Sequence, residues 1–251
     1  MNIFLTLAFL FFVGSTAGWV LELLFRRFIS SSNPERRWIN PGFCTGPYLP
    51  LYGFGLCALY LIASLERFAP LKSSLGNKLM LFFIMAVSMT VIEYIAGLLS
   101  LKVFHVRLWD YRDEWGNVQG IICPKFSLLW AGLGAVYYFL IHPYILSSLD
   151  WLSRNLAFSF FIGLFFGVFI LDAAHSMQLI AKLRRFAAEN EVIVKYEALK
   201  SSIRSHYERT AQKYHFFRPF KSDRPLNEHL KEMRNTFEAH IKKGRGNLPV
   251  K

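Results

Sequence analysis

The sequence predicts an all-α, polytopic transmembrane helical bundle of about five spans with a cytoplasmic amphipathic helical tail, and three observations carry that prediction. Five apolar stretches run approximately from Ile3 to Phe25, Pro47 to Leu65, Leu79 to Ser100, Phe126 to Leu149 and Asn155 to Ala181. Each is close to the roughly 20 mostly apolar residues that a spanning helix needs. The composition, 53% hydrophobic and 17% aromatic, exceeds what a soluble domain of this size carries without aggregating. The few charges inside the stretches lie toward one side of the membrane. Residues 1–181 therefore read as a transmembrane domain and residues 182–251 as a basic helical tail.

The first stretch has no basic n-region and continues unbroken through Trp19, Val20 and Leu21, so it reads as a retained span rather than a cleaved signal peptide. Near its end stands Glu22, with Arg26 four residues later, a spacing that by itself allows a simple helical ion pair. The entry to the second stretch, from Asn40 to Gly55, holds four glycines and three prolines, among them Gly42, Gly46, Pro47, Pro50 and Gly53 beside Tyr52. Such a segment cannot begin as a regular helix, since proline removes a backbone donor and glycine admits unusual dihedrals. Nonhelical backbone at membrane depth must be satisfied by protein or by a wetted cavity. A re-entrant turn offering free amides and carbonyls to a solute and a tight irregular turn before an ordinary span both fit. No Lys-Ser or Lys-Thr follows these glycines, so they do not form a phosphate loop.

Glu93 lies in the third stretch without a local basic partner, which points to a tertiary partner or a working carboxylate. The loop from Lys102 to Lys125 is dense in aromatic and ionic residues, including His105, Arg107, Trp109, Asp110, Tyr111 and Arg112. Interfacial anchoring accounts for part of this; Asp110 between two aromatics and near two arginines indicates an ion-pair network or an anionic ligand. In the fifth stretch Asp172 and His175 are three apart, on one helical face, where they could share a proton or a ligand or serve helix packing.

Loop charges set the expected orientation. Arg26, Arg27, Arg36 and Arg37 in the first loop, Lys102, Arg107, Arg112 and Lys125 in the third, and Lys182, Arg184 and Arg185 after the last stretch would be cytoplasmic. The other side receives Arg67, Lys72, Lys78 and Arg154, so the N-terminus is expected outside and the C-terminus inside. The tail carries 17 Lys and Arg against 8 Asp and Glu, a surplus of nine within the chain's net +12. Within it Ile193, Tyr196, Leu199, Ile203, Tyr207, Ala211 and Tyr214 form one apolar stripe, and Leu226, Leu230, Met233, Phe237 and Ile241 a second. These stripes suit two helices packed on each other, a protein partner, or the anionic inner leaflet. Nucleic acid is not expected, because an inner-leaflet tail explains the basicity and no recognition module is present.

Cys44, Cys57 and Cys123 have no metal-type spacing and support neither a disulfide framework nor a metal site. Cys123 as a nucleophile would need a base such as His105, and no HExxH, GxSxG or CxxC occurs. No cofactor is expected.

Gly18-Trp19 followed by Glu22, then GFCTGPYLPLYGFG, Glu93, LWDY, GIICPKFSLLW and Ile141-His142-Pro143 together carry a resemblance. In this combination and order, over residues 14–145, the chain resembles the bacterial membrane family labelled putative ABC-transporter type IV, or putative ABC-transporter permeases. The sequence departs from the pattern at Pro41 where Arg is usual, at Arg112 for Ser, and at Ala131 for Gly. Arg36 and Arg37 stand nearby to replace the missing loop cation. The resemblance implies a permease-like component and no established substrate, cofactor or catalytic residue. No G-x-x-x-x-G-K-[ST] loop is present, so ATP hydrolysis would require a separate P-loop ATPase subunit.

Three functional classes follow. The first is a permease-type subunit with an inner-face cavity lined by Glu22, Glu93, Asp110, Asp172 and His175, with Arg107, Trp109 and Tyr111 beside them, for a polar or cationic solute. The second is a membrane-embedded enzyme acting on a lipid or lipid-linked substrate, with carboxylates and His as acid and base and Arg107 or Arg112 holding phosphate. The third is a scaffold or regulator working through the tail.

Overall fold

The computed structural model describes residues 2–30, 33–68, 74–190, 192–209, 216–217 and 224–235. The protein is an all-α bundle. Its helices are α1 (Ile3–Phe28), α2 (Pro50–Ala63), α3 (Ser74–Phe104), α4 (Pro124–Val136), α5 (His142–Arg154), α6 (Ser159–Glu189) and α7 (Tyr196–Arg209). A further helix, α8, covers 226–235. The two short strands β1 (Val106–Arg107) and β2 (Val194–Lys195) pair in parallel and pin the third loop to the chain after α6.

Among the described residues, four helices are long and apolar enough to cross a membrane: Ile3–Phe28, Leu75–Phe104, Pro124–Arg154 and Leu156–Glu189. The second expected span is a shorter apolar helix, Pro50–Glu66. It starts at Pro50 rather than Pro47, because residues 41–49 follow an irregular path that ends where Pro50 takes the first helical turn. Proline is suited to that position, as its missing N–H has no helical partner there. Pro124 opens α4 in the same way. Between α4 and α5 the helix widens into one π turn, Tyr137–Ile141, so the fourth span is continuous but not uniform.

The tightest packing is between α1 and α2, where small residues bring the backbones together. A Cβ on Gly18 would lie 2.2 Å from Tyr52 Cβ, and one on Gly14 would lie 2.9 Å from the Tyr52 carbonyl oxygen. The bundle core is formed by Leu10, Leu59, Met85, Met89, Trp130, Tyr137 and Ile145 from α1 through α5. The apolar window of α6 is only 6% buried, so this helix turns most of its surface outward, as hydrocarbon permits and water does not.

A second core gathers Ile180, Leu183 and Phe186 of α6 with Val106, Val194, Tyr196, Leu199, Ile203, Tyr207 and Leu230. Leu226 and Met233 pack against it. Most of the described residues of the tail's apolar stripes are therefore covered by the chain's own helices, and α6 runs without a break past residue 181. Ile193, expected on the first stripe, is exposed; Ala211, Tyr214, Phe237 and Ile241 lie outside the described residues. The loops 33–49 and 105–123, the end of α6 and α7 all meet at one end of the bundle, called below the loop face.

Candidate functional site

Glu22 on α1, Tyr52 on α2, Glu93 on α3, Tyr111 in the third loop and Trp130 on α4 form a polar cluster at the loop face. Tyr52 Oη donates to Glu22 Oε2 at 3.0 Å. The Tyr52 ring lies against the Trp130 indole with centroids 4.8 Å apart. Tyr111 Oη donates to Glu93 Oε1 at 3.1 Å. The Tyr111 ring is held by parallel stacking on Phe126 at 4.3 Å, which aims the phenol into the bundle. Glu93 is 2% exposed, and its Oε2 is buried without a hydrogen-bond partner. The Trp130 side chain also lies against this carboxylate. Tyr111 itself is pushed well above the usual phenol range by burial and by the Glu93 and Glu22 charges, so it keeps the proton that it donates to Glu93.

From Glu22 a chain of ion pairs leads out to the tail. Arg26 Nε donates to Glu22 Oε1 at 2.9 Å, and its Nη1 meets Glu197 Oε2 on α7 at 3.1 Å. Lys200 Nζ lies 3.5 Å from Glu197 and donates to the carbonyls of Asn40 at 3.0 Å and Gly42 at 3.1 Å. Burial would raise the Glu197 pKa, but the Arg26 and Lys200 charges outweigh it and hold the group below its ordinary range. Burial moves Lys200 the opposite way, below the usual ammonium range, with Glu197 resisting. The pair at Glu22 and Arg26 is thus more than a local helical contact.

Asp172 belongs to a different cluster. Its oxygens accept from Thr45 N at 3.3 Å, Gly46 N at 2.9 Å, Tyr48 Oη at 2.5 Å and Ser176 Oγ at 3.5 Å. The amides that might have faced a solute are therefore satisfied by protein. Gly42 takes φ +75°, which no side chain adopts readily, and Leu49 Cδ2 sits 2.4 Å from where its Cβ would be. Burial and the Asp172 charge push the Cys44 thiol up to about 12, so it is an unreactive packing group. Asn40 completes the loop by accepting from Trp19 Nε1 at 2.7 Å and donating to the Thr45 carbonyl at 3.1 Å.

Asp110 anchors a third cluster, in which Arg112 lies at 2.8 Å, Lys195 of β2 at 3.3 Å and Arg107 at 3.7 Å. Arg107 Nη1 also donates to the Gln119 carbonyl at 3.1 Å, and Trp109 Nε1 to that of Ile121 at 2.8 Å. The ion-pair expectation for this loop matches the geometry.

The structure thus brings Glu22, Tyr52, Glu93 and Tyr111 together but separates them from Asp110 and Asp172. His175 is exposed on α6, while Asp172 turns to the 45–48 loop, so these two do not form the shared site that their spacing suggested. Two depressions, about 250 and 160 Å³, are lined by residues of α3, α6 and the two loops, Arg107 and Trp109 among them. Of the cations near this loop, Arg36 is exposed, Arg37 pairs with Glu35 at 2.6 Å, and Lys200 binds the carbonyls on either side of Pro41. Sequence reasoning missed Lys200, although it falls on the apolar stripe between Tyr196 and Ile203, where a lysine is out of place. It also missed the four-residue spacing of Gly14 and Gly18 that marks close helix packing.

With this geometry in view, the comparisons with known proteins decide the kinship. Residues 9–177 match the family described as Putative ABC-transporter type IV. The chain belongs to that family. It is a multi-pass, transporter-related membrane protein, and the matched segment includes Glu22, Tyr52, Glu93, Tyr111 and Trp130 but not α7. No curated protein and no solved structure matches the chain.

Proposed function

We propose that this protein is the permease-type subunit of an ABC-like transporter, with the Glu22–Tyr52–Glu93–Tyr111 cluster as its solute site for a polar or cationic group. In this reading five segments cross the bilayer, the N-terminus is outside, and the loop face and α7 are cytoplasmic. The observation that carries it is Glu93: a carboxylate buried in an apolar bundle, with one oxygen unpartnered, is costly to keep and marks a pathway or binding site. The cluster is packed shut, and solute entry requires the Tyr111 loop to lift from Phe126. Asp110, Arg107 and Trp109 serve that loop; Asp172 serves the 40–49 segment; His175 remains a peripheral member of the reading.

Energy is supplied by a separate P-loop ATPase. It docks on the exposed basic turn of α6, Lys182, Arg184 and Arg185, because Tyr196, Leu199, Ile203, Tyr207 and Leu230 of the tail's stripes are already buried. The test is a pull-down of the tagged full chain from its native membrane in mild detergent, with mass spectrometry of what is retained. A stoichiometric P-loop ATPase is expected, lost on combining Lys182→Glu, Arg184→Glu and Arg185→Glu. Recovery of the chain alone removes the transporter reading. Deleting the tail is a poorer test, since Leu199 and Ile203 complete a core around Leu183. The lipid-enzyme reading fares less well, because both arginines it assigned to phosphate pair with Asp110.

A further inference from the structure

The charges around Glu93 are matched except its own. Arg26, the cation joined to the cluster through Glu22, is committed to Glu22 and Glu197. Among the described residues no ion pair includes Glu93, and Glu22 lies close enough for the two carboxylates to repel. The groups facing it are Glu22 from α1, Tyr52 from α2, Tyr111 from the loop and Trp130 from α4. Tyr52 gives its proton to Glu22, and Tyr111 gives its proton to Oε1. Oε2 has no partner in hydrogen-bond geometry, although the Trp130 side chain lies beside the carboxyl group as its one further donor. With no cation paired to it, an ionised carboxylate so placed bears much of the penalty of a buried charge, whereas the neutral acid leaves only one weakly satisfied hydroxyl. A hydrated metal ion is poorly suited, because no group of three or more metal-binding side chains occurs among the described residues.

We propose that Glu93 is a proton-binding site, its Oε2 carrying an exchangeable proton that reaches it from water at the loop face past Tyr111. The step is a proton transfer alone: an O–H bond of water-borne hydronium breaks and the Glu93 O–H bond forms, with the charge of the carboxylate cancelled. This rests on the reading of the cluster as the working site, to which it gives a ligand class.

The test is infrared difference spectroscopy of the full-length protein in lipid nanodiscs, in light and heavy water, together with carboxyl labelling by dicyclohexylcarbodiimide located by mass spectrometry. A carbonyl band of a protonated carboxylic acid is expected, shifted in heavy water and lost in Glu93→Gln. It is retained in Glu22→Gln and in the loop control Glu114→Gln. Labelling is expected at Glu93 and is lost as pH rises. Should Glu93→Gln fail to fold, Tyr111→Phe removes only the donor to Oε1 and is expected to shift the band without abolishing it. A band that survives Glu93→Gln, or is unmoved by Tyr111→Phe, overturns the proposal. So does protection from labelling by sodium chloride but not choline chloride at fixed pH, which would assign a metal cation to the site. A band without an ATPase in the pull-down leaves the proton site standing and removes the transporter; an ATPase without the band does the reverse.

Discussion

At the scale of single residues, acidic groups that look alike in sequence carry different loads. Burial alone would raise the Asp110 pKa, but hydrogen bonds and charge from Arg112, with Lys195, lower it from 3.8 to about 2. A carboxylate whose folded value lies below its unfolded one contributes stability that is present above the unfolded value and is lost as pH falls through the folded one. The melting temperature of Asp110→Asn is therefore expected below that of the wild type at about pH 5, with the difference shrinking as pH falls toward about 2. Asp172 holds two amides and a phenol at once. Asp172→Asn should cost about 1–3 kcal/mol, read as a lower midpoint of unfolding in detergent and faster proteolysis of the 40–49 loop. Glu93 shows how much was legible at this scale. Its isolation from basic neighbours was visible in the sequence, but its partner Tyr111, from a loop beyond the end of α3, was not.

Among the elements, the α1–α2 crossing controls the site, because it sets where Tyr52 meets Glu22. A Cβ at position 18 would meet the Tyr52 ring at 2.2 Å, whereas one at Gly167 on α6 meets nothing within 4 Å. Gly18→Ala is expected to destabilise by about 1–3 kcal/mol through overpacking. Gly167→Ala should be neutral or stabilising by up to about 1 kcal/mol, since alanine is the better helix former. Thermal unfolding of the two variants side by side checks this, and equal midpoints would remove the close-packing account. Helix starts were legible here: Pro50 and Pro124 each open a helix. The π turn at Tyr137–Ile141 was missed although Pro143, whose absent N–H cannot bond the Phe139 carbonyl, stands just after it; the Tyr137 hydroxyl lies 2.9 Å from His142 Nδ1, five residues on, across the turn.

For the whole molecule, the question is which side of the membrane the loop face occupies. The proposed orientation is checked with a membrane-impermeant maleimide on intact cells, using Ile193→Cys on the loop face and Phe68→Cys at the opposite end; both positions are exposed. Phe68→Cys is expected to label in intact cells and Ile193→Cys only after lysis, and the reverse pattern would invert the topology. Background should be low, as Cys44 and Cys123 are buried. Here too the tail changes its meaning. In sequence its stripes suit two helices packed on each other, a protein partner or the anionic leaflet, while in the structure Lys200 and Glu197 bind the first loop and α1, and Leu199 and Ile203 fill a core.

By itself the sequence determined that the protein is a helical membrane bundle, roughly where its helices lie, which segments cannot be helical, and to which family it belongs. Those properties depend on apolar length, local backbone chemistry and short motifs, all of which are local in the chain. Only the tertiary structure decided that Glu22 and Glu93 share a cluster while Asp110 and Asp172 do not, and that Lys200 binds the carbonyls of the first loop. Helical spacing places two side chains on a face, but which neighbour that face meets depends on the rotation and crossing of separate helices. Those are set by the joint packing of Gly14, Gly18 and Tyr52, and of α7 against α6, over separations that no local pattern records.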